Sequence, residues 1–177
     1  IFSGKLNQIG RKAITNGIRL SMHPGQYTVL NSPDEAVVER AVEDLRYHAR
    51  FLDAMGLEKE HKIVLHIGGI YGDKTDALKR FVQHYRCLDE NIRRRLVIEN
   101  DDRQYAISDA LSIGESEGIP VVFDNLHHQV NPDNTRSDIE WITACASTWK
   151  QSDGSQKLHY SQQNDGKRPG SHSATLD

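Results

Sequence analysis

The chain has 177 residues, of which 37% are hydrophobic and 27% are charged, and its formal net charge at pH 7 is −3. This composition is ordinary for one globular domain and excludes a largely disordered chain. The acidic balance excludes a general electrostatic attraction to nucleic acid, and no apolar run reaches the roughly 18 residues of a membrane span.

Taken in chain order, the apolar spacing predicts five helices that alternate with five strands. The first helix ends at Gly17, and the second begins at a capping box of Ser32 and Glu35 and ends at Gly56. The strands are continuously apolar, which is typical of parallel strands whose two faces are both covered. The predicted helices are 3–16, 33–55, 75–91, 108–117 and 133–150, and the strands are 18–23, 63–67, 96–99, 119–124 and 155–159.

This alternation predicts an α/β fold with about five parallel strands. A closed (β/α)₈ barrel typically needs about 250 residues, so we expect a partial TIM barrel whose early strands and last strand are missing. An open doubly wound sheet is the alternative, but no glycine-rich phosphate loop follows the first strand. We therefore expect residues 1–177 to form a single catalytic TIM-barrel domain within a longer chain, and residues 161–177 to form a polar loop on its active face.

Each of the five predicted strands carries, at its last or last but one position, a residue that can bind a metal ion. These residues are 25 to 43 positions apart, which is the length of one strand with its crossover helix. The carboxyl ends of parallel barrel strands form the active face, so we expect these side chains to meet there. A single histidine is more often structural, and we assign His48, His61 and His84 to that group. The strand-end residues are His23, His66, Glu99, Asp124 and His159.

Further polar residues accompany these strand ends. His127 and His128 follow the fourth strand directly, and Lys157 points to the same face as the last strand-end histidine. Mixed nitrogen and oxygen ligands without cysteine indicate manganese, zinc or iron. Two or three ions bridged by Glu99 and Asp124 would suit phosphodiester hydrolysis. Lys157 would be a buried cation there unless it were paired or chemically changed.

Two other polar clusters flank the predicted active face. Gln26 and Tyr27 are typical of a turn, but beside a metal cluster they could also stack on nucleobases or wedge between them. Lys167 and Arg168 lie on the active side and are candidates for phosphate contacts. The basic run 93–95 precedes a strand, so we expect it on the solvated surface at the opposite end.

The chain contains two cysteines, Cys87 and Cys145, which lie alone in predicted helices. We expect two buried, reduced thiols, because isolated cysteines in helices suit neither a disulfide nor a thiolate metal site. Reduced thiols are typical of a protein of the cytoplasm.

Six motifs along residues 1–172 together resemble one protein family. They are Leu20-Ser-Met-His-Pro-Gly-Gln-Tyr27, Leu30-Asn-Ser-Pro33, His66-Ile-Gly-Gly-Ile-Tyr-Gly-Asp-Lys74, Ile98-Glu-Asn-Asp-Asp102, Phe123-Asp-Asn-Leu-His-His128 and Lys157-Leu-His-Tyr-Ser161. This combination resembles the UV damage endonucleases, relatives of endonuclease IV on the same barrel. The resemblance implies an enzyme that nicks DNA immediately 5′ of ultraviolet photoproducts, and often of abasic sites, to start excision repair.

The resemblance also implies cofactors and residue roles. It implies two or three Mn²⁺ ions, with Zn²⁺ as the alternative, and Gln26 and Tyr27 as the probe of the strand opposite the lesion. Catalysis would use Glu99, Asp124 and Lys157, which is similar to a lysine that can be carboxylated. The family also uses a glutamate from its last strand, which this chain does not include. The implied metal ligands are His23, His66, Glu99, Asp124, His127, His159 and His172.

We therefore expect a metal-dependent endodeoxyribonuclease that acts on damaged double-stranded DNA. It would be a cytoplasmic monomer without an obligate protein partner or membrane contact, associated with the nucleoid when acting on DNA. A metal-dependent sugar isomerase or epimerase of related barrel architecture is one alternative. A non-catalytic damaged-DNA-binding module is another, since the last glutamate ligand is absent. Gln26, Tyr27 and the long polar loop suit a polymer better than a small sugar.

Overall fold

Five short parallel strands form the centre of the computed structural model, which describes residues 3–176. Each strand pairs with the next strand along the chain, so the sheet order is β1-β2-β3-β4-β5. Sequential parallel strands with helices outside curl into half of a barrel, which confirms the predicted partial (β/α)₈ fold. The strands are β1 (Ser21–Met22), β2 (Lys62–His66), β3 (Leu96–Glu99), β4 (Val121–Asp124) and β5 (Leu158–His159).

Seven helices connect and cover these strands in the described part of the chain. They are α1 (Ser3–Thr15), α2 (Glu35–Ala54), α3 (Lys74–Cys87), α4 (Glu90–Arg93), α5 (Ile107–Glu117), α6 (Asn125–Val130) and α7 (Asp138–Ser147), and a single 3₁₀ turn (Gln151–Asp153) precedes β5. The inner strands are buried on both faces, as their apolar runs predict. Among residues 3–176, no helix combines the length and the apolar character needed to cross a membrane.

Helix α2 begins differently from the predicted capping box. Its N-cap is Asp34, whose carboxylate accepts a hydrogen bond from the backbone N–H of Ala36. The Ser32 hydroxyl instead accepts from the Asp34 N–H at 3.1 Å. The helix therefore starts at Glu35, because Asp34 is a strong cap that lies two residues closer to the apolar stripe than Ser32.

The helix predicted over residues 75–91 is interrupted. α3 ends at Cys87, and Leu88 adopts an extended backbone with ψ 148° before α4 follows. Leu88 is buried and packs in the main core cluster. The break thus places an apolar side chain in the core, a gain that local helix propensity does not include.

The helix predicted over residues 133–150 is also shorter in the structure. Ser137 and Glu140 form a capping box that starts α7 at Asp138. Before it, the Asp133 carboxylate accepts hydrogen bonds from the backbone and hydroxyl of Thr135. Short polar side chains that bond nearby backbone groups favour such turns over helix.

The two outer strands, β1 and β5, are shorter than the predicted strands 18–23 and 155–159. Each has only one neighbouring strand in the described sheet, so only part of its backbone is paired. In addition, the backbone N–H of Leu20 donates to Nδ1 of His61 at 2.9 Å. This side-chain acceptor takes a donor that a longer β1 would use.

The three histidines assigned to structural roles all bond backbone groups outside the strand-end cluster. His48 donates to the carbonyl of Asp44 at 2.7 Å, and His84 donates to that of Leu30 at 2.6 Å. His61 is buried and accepts the bond described above, and burial lowers its pKa. These three rings thus have hydrogen-bond partners within the protein scaffold.

Arg95 corrects the expectation of a solvated basic run at 93–95. Arg93 and Arg94 are exposed, but Arg95 is completely buried. Its guanidinium donates to three carbonyls of the loop before β2 and to Asp53 at 2.6 Å. A buried cation needs such partners. In turn, the Arg95 guanidinium supplies hydrogen-bond donors to loop carbonyls that would otherwise be unpaired.

Both cysteines are free thiols, as predicted. Cys145 is buried, and desolvation raises its pKa to about 12. Cys87 is exposed, so the expectation that it is buried was wrong. It is the last residue of α3, where the helix ends and the chain turns so that its neighbour Leu88 enters the core instead.

Gly114 allows α5 to approach β4 closely. A Cβ atom at this position would lie 2.3 Å from Cγ2 of Val121 and 2.8 Å from the carbonyl oxygen of Ile119. We predict that Gly114→Ala lowers the free energy of unfolding by about 1–3 kcal/mol, measured by urea denaturation. Gly4→Ala in α1 is the matched control, because nothing lies within 4 Å of its added methyl. Equal midpoints for the two variants would contradict this packing.

Candidate metal centre

The predicted metal-binding side chains lie together at the carboxyl ends of the five strands. His66 and Glu99 are direct partners across β2 and β3, and Asp124 and His159 are partners across β4 and β5. His23 follows the last residue of β1. The parallel register therefore concentrates imidazoles and carboxylates at one end of the half-barrel.

Within the described part of the chain, donor atoms at this end form three overlapping groups. Within each group the atoms that could bind a metal lie within 4.8 Å of one another. Glu99 and Asp124 each belong to two groups, so the groups form one continuous cluster. They are His23, His66 and Glu99; then Glu99, Asp124 and His159; then Asp124, His127 and His172.

Glu99 is 1% exposed and is surrounded by three imidazoles. Its Oε2 lies 3.1 Å from Nε2 of His23 and 3.6 Å from Nε2 of His66, while its Oε1 faces Nδ1 of His159. Burial raises the pKa of Glu99, but the close imidazole of His159 and the hydrogen bond from His23 outweigh burial and hold the pKa well below its usual value. The same bond to Glu99 raises the pKa of His23. The surroundings thus favour an anionic carboxylate.

Asp124 is completely buried and is also the N-cap of α6. Its Oδ1 accepts a hydrogen bond from the backbone N–H of His127 at 2.8 Å. Its Oδ2 lies 3.1 Å from Nε2 of His172 and 3.7 Å from Nδ1 of His159. One carboxylate therefore starts the helix that carries His127 and joins two donor groups.

Asn100 orients this region, although it was not among the predicted site residues. Its side chain accepts from the Asp124 N–H at 2.9 Å and donates to the Asp124 carbonyl at 3.1 Å. Its own carbonyl accepts from Nδ1 of His127 at 3.0 Å, which leaves Nε2 of that ring available as a ligand. The available signal was its position directly after Glu99 in the chain.

Two buried oxygens support the fit of a divalent cation. Among residues 3–176, Glu99 Oε1 and Asp124 Oδ2 accept no hydrogen bond with acceptable geometry, although imidazole nitrogens lie close to both. Burying charged oxygens without partners is costly. Nitrogen and oxygen donors around them are the ligands that manganese and zinc prefer, so the residues present fit such ions.

Lys157 lies beside the cluster, close enough for its charge to interact with that of Glu99. It precedes His159 by two residues and is partly buried. Burial lowers the pKa of Lys157, and the nearby Glu99 charge opposes this only in part. The structure therefore brings Lys157 near the carboxylate of Glu99.

A cleft of about 650 Å³ opens next to the cluster. Gln26 and Tyr27 lie on its wall, and Tyr27 is 83% exposed. The same wall carries Arg40, Arg103 and Arg168. The cleft thus combines a protruding aromatic ring with several cations beside the candidate metal ligands, in a chain whose net charge is slightly negative.

The polar loop after β5 folds back onto the metal end. Gln163 and His172 form an antiparallel bridge, and this brings His172 to Asp124. Arg168 lies 3.7 Å from the carboxylate of Asp102 on the β3–α5 loop. Lys167 is exposed and is not among the residues that line the cleft. The final position of the predicted loop, residue 177, lies outside the described residues.

The chain matches the family described as UV-endonuclease UvdE over residues 1–177. A UV DNA damage endonuclease of Clostridium perfringens is 45% identical over 176 residues, which cover 99% of this chain and 43% of that protein. A UV DNA damage endonuclease of Bacillus pumilus is 37% identical over 176 residues, which cover 99% of this chain and 55% of that protein. The chain spans about half the length of these relatives.

The fold also matches a solved structure. The crystal structure of SacUVDE is 44% identical and superposes with a TM-score of 0.91, covering 99% of this chain and 59% of that chain. The superposition covers nearly the whole of this chain, including the strands whose ends carry the cluster. This chain belongs to the UV-endonuclease UvdE family.

Proposed function

We propose that this chain forms the core of a metal-dependent endonuclease that nicks damaged double-stranded DNA 5′ of ultraviolet photoproducts, and also of abasic sites. This proposal rests on the continuous cluster of three donor groups, which are linked by the buried Glu99 and Asp124. The cluster opens onto a cleft with the exposed Tyr27. The related UV DNA damage endonucleases of Clostridium perfringens and Bacillus pumilus support this activity.

The donor set would hold two or three divalent cations, with Mn²⁺ as our first choice and Zn²⁺ as the alternative. When bound, such cations stabilise charge that develops on a phosphate and make a hydroxide nucleophile available near neutral pH. The ligands we propose are His23, His66, Glu99, Asp124, His127, His159 and His172.

The buried carboxylates of Glu99 and Asp124 would balance the positive charge of the bound cations and fix the positions of these cations. Asn100 positions Asp124 and His127 through three hydrogen bonds. We assign Lys157 a catalytic role beside Glu99, because burial favours its neutral amine, the form that carboxylation requires. Glu99, Asp124 and His127 act as one unit, since each contacts a neighbour in the cluster.

The cleft would bind the damaged duplex. We infer that the exposed Gln26 and Tyr27 enter the base stack, where a photoproduct lowers the cost of separating bases. Arg168 on the cleft wall and the exposed Lys167 would contact phosphates. We propose a monomer that needs no protein partner and works where its DNA substrate lies, at the nucleoid.

A nicking assay tests this function. An end-labelled duplex that has been irradiated with ultraviolet light should be cut immediately 5′ of the lesion by the full-length protein with Mn²⁺, and an undamaged duplex of the same sequence should stay intact. Cutting that needs no metal would refute the proposal. The absence of cutting by protein that has every ligand in place would refute the proposal as well. Conversion of a sugar by the purified protein would favour an isomerase instead.

Asn100→Ala should weaken Mn²⁺ binding about 10- to 100-fold, because it removes two hydrogen bonds that orient Asp124. Calorimetric titration of the metal-free protein with Mn²⁺ measures this loss. Asn91→Ala is the matched control, since that amide bonds Asp53 and Lys59 before β3, at the opposite end of the sheet. Wild-type affinity in Asn100→Ala would show that Asn100 has no positioning role.

A further inference from the structure

The loop between β2 and α3 carries a strained aromatic residue on the wall of the cleft. Tyr71 has a φ of +52°, and among residues 3–176 no other residue except glycine has a positive φ. A bulky residue adopts this left-handed backbone only where its surroundings enforce it, and such residues cluster at ligand-binding sites. The strained backbone of Tyr71 therefore suggests a functional role and not only a turn.

The ring of Tyr71 packs directly on the backbone of Gly69. A Cβ atom at position 69 would lie 2.9 Å from the ring, so only glycine fits beneath it. The Gly69 carbonyl accepts hydrogen bonds from the Asn31 amide at 2.7 Å and from the Tyr105 hydroxyl at 3.0 Å. Both donors belong to completely buried residues. The surface under the ring is thus anchored in the protein interior.

Arg80 holds the ring from a second element. Its guanidinium carbon lies 5.8 Å from the centre of the Tyr71 ring, within cation–π distance. The same side chain donates to the backbone carbonyl of Asn31 at 2.9 Å, so its position is fixed as well. Even so, Tyr71 is 47% exposed and lines the same cleft as Tyr27. The ring is immobilised and still available to a ligand.

We infer that Tyr71 is a second aromatic contact for DNA, a rigid platform that receives an unstacked base of the damaged strand. This inference rests on the proposed function and adds a binding residue to it. Aromatic rings stack on any base, and a ring that is already fixed loses little conformational entropy on binding. Tyr27 protrudes and suits insertion into the duplex, whereas Tyr71 is packed against the wall and suits reception of a displaced base.

Tyr71→Gly separates this role from a structural one. Glycine adopts the left-handed backbone without strain, so the thermal midpoint should stay unchanged or rise. Affinity for a duplex with a single cyclobutane pyrimidine dimer should fall about 5- to 100-fold, and Tyr71→Phe, which keeps the ring, should bind like wild type. Fluorescence anisotropy at fixed salt, with chelator present to prevent nicking, measures the affinities of both variants, and thermal denaturation measures the midpoint. A lower midpoint with wild-type affinity would overturn the inference.

Tyr47→Ala is the matched control, because Tyr47 is an exposed ring on α2 that does not line the cleft. Its affinity should not change, and an equal loss in this variant would overturn the specific role of Tyr71. Wild-type protein that fails to bind the dimer-containing duplex would contradict the proposed function itself. Wild-type binding with an unaffected Tyr71→Gly would refute only the role of Tyr71.

Discussion

Glu99→Gln should lower the rate of nicking by about 10³-fold while the protein remains folded and still binds the damaged duplex. Glutamine has nearly the same shape as glutamate but is neutral and can bind a cation through one oxygen only. Because Glu99 belongs to two of the three donor groups, the change weakens both at once. Single-turnover nicking of an irradiated, end-labelled duplex with excess Mn²⁺ measures the effect.

Glu117→Gln provides a matched control for Glu99→Gln. Glu117 receives two hydrogen bonds from Arg86, at 2.8 and 2.7 Å, on the outer surface between α3 and α5. This control should nick at the wild-type rate and lose at most about 1 kcal/mol of stability, because its partner is largely exposed to solvent. Near-wild-type nicking by Glu99→Gln would remove Glu99 from the proposed mechanism. Circular dichroism verifies that both variants fold.

Removal of divalent metal by a chelator should abolish nicking and lower the thermal midpoint, and added Mn²⁺ should restore both. Without cations, two buried carboxylates that share His159 face each other with unpaired oxygens. A ligand that binds only the folded state stabilises it by about 2.7 kcal/mol at 100 times its Kd, so the shift in the midpoint reports binding independently of activity. Nicking in excess chelator would contradict the metal centre.

Metal analysis of two histidine variants sharpens this prediction. His172→Ala should lose one bound ion, because it removes a ligand from the third donor group alone. His48→Ala should keep the wild-type number of ions, since His48 bonds the backbone of Asp44 on α2. Purified protein that binds no transition metal, yet binds damaged DNA equally well with chelator, would instead indicate a non-catalytic damage-binding module.

Much of the cluster could be predicted from local sequence, because one rule places all of its strand-end members. Apolar runs identify buried strands, and parallel strands separated by helices all end at the same face. His23, His66, Glu99, Asp124 and His159 follow from this rule alone, and the register of the sheet brings them together. The rule requires no knowledge of loop conformation.

Residues that reach the site through loops could not be predicted in this way. His172 approaches Asp124 only because the loop after β5 folds back, and the motif resemblance rather than any periodicity pointed to it. In the sequence, Asn100 is one more polar residue after a strand. Its positioning role becomes visible only through its three hydrogen bonds to Asp124 and His127. Likewise, nothing in the local sequence indicated that Arg95 is buried by its pairing with Asp53.

By itself the sequence determined the order of strands and helices, the half-barrel and the donor residues at the carboxyl ends of the strands. These properties follow from short-range periodicity and from the direction that parallel strands share. Only the tertiary structure decided which carboxylate oxygens lack donors, how the polar loop closes on the cluster and why Tyr71 is held in a strained backbone. Those features depend on contacts between segments far apart in the chain, and their energies appear only once the segments are packed together.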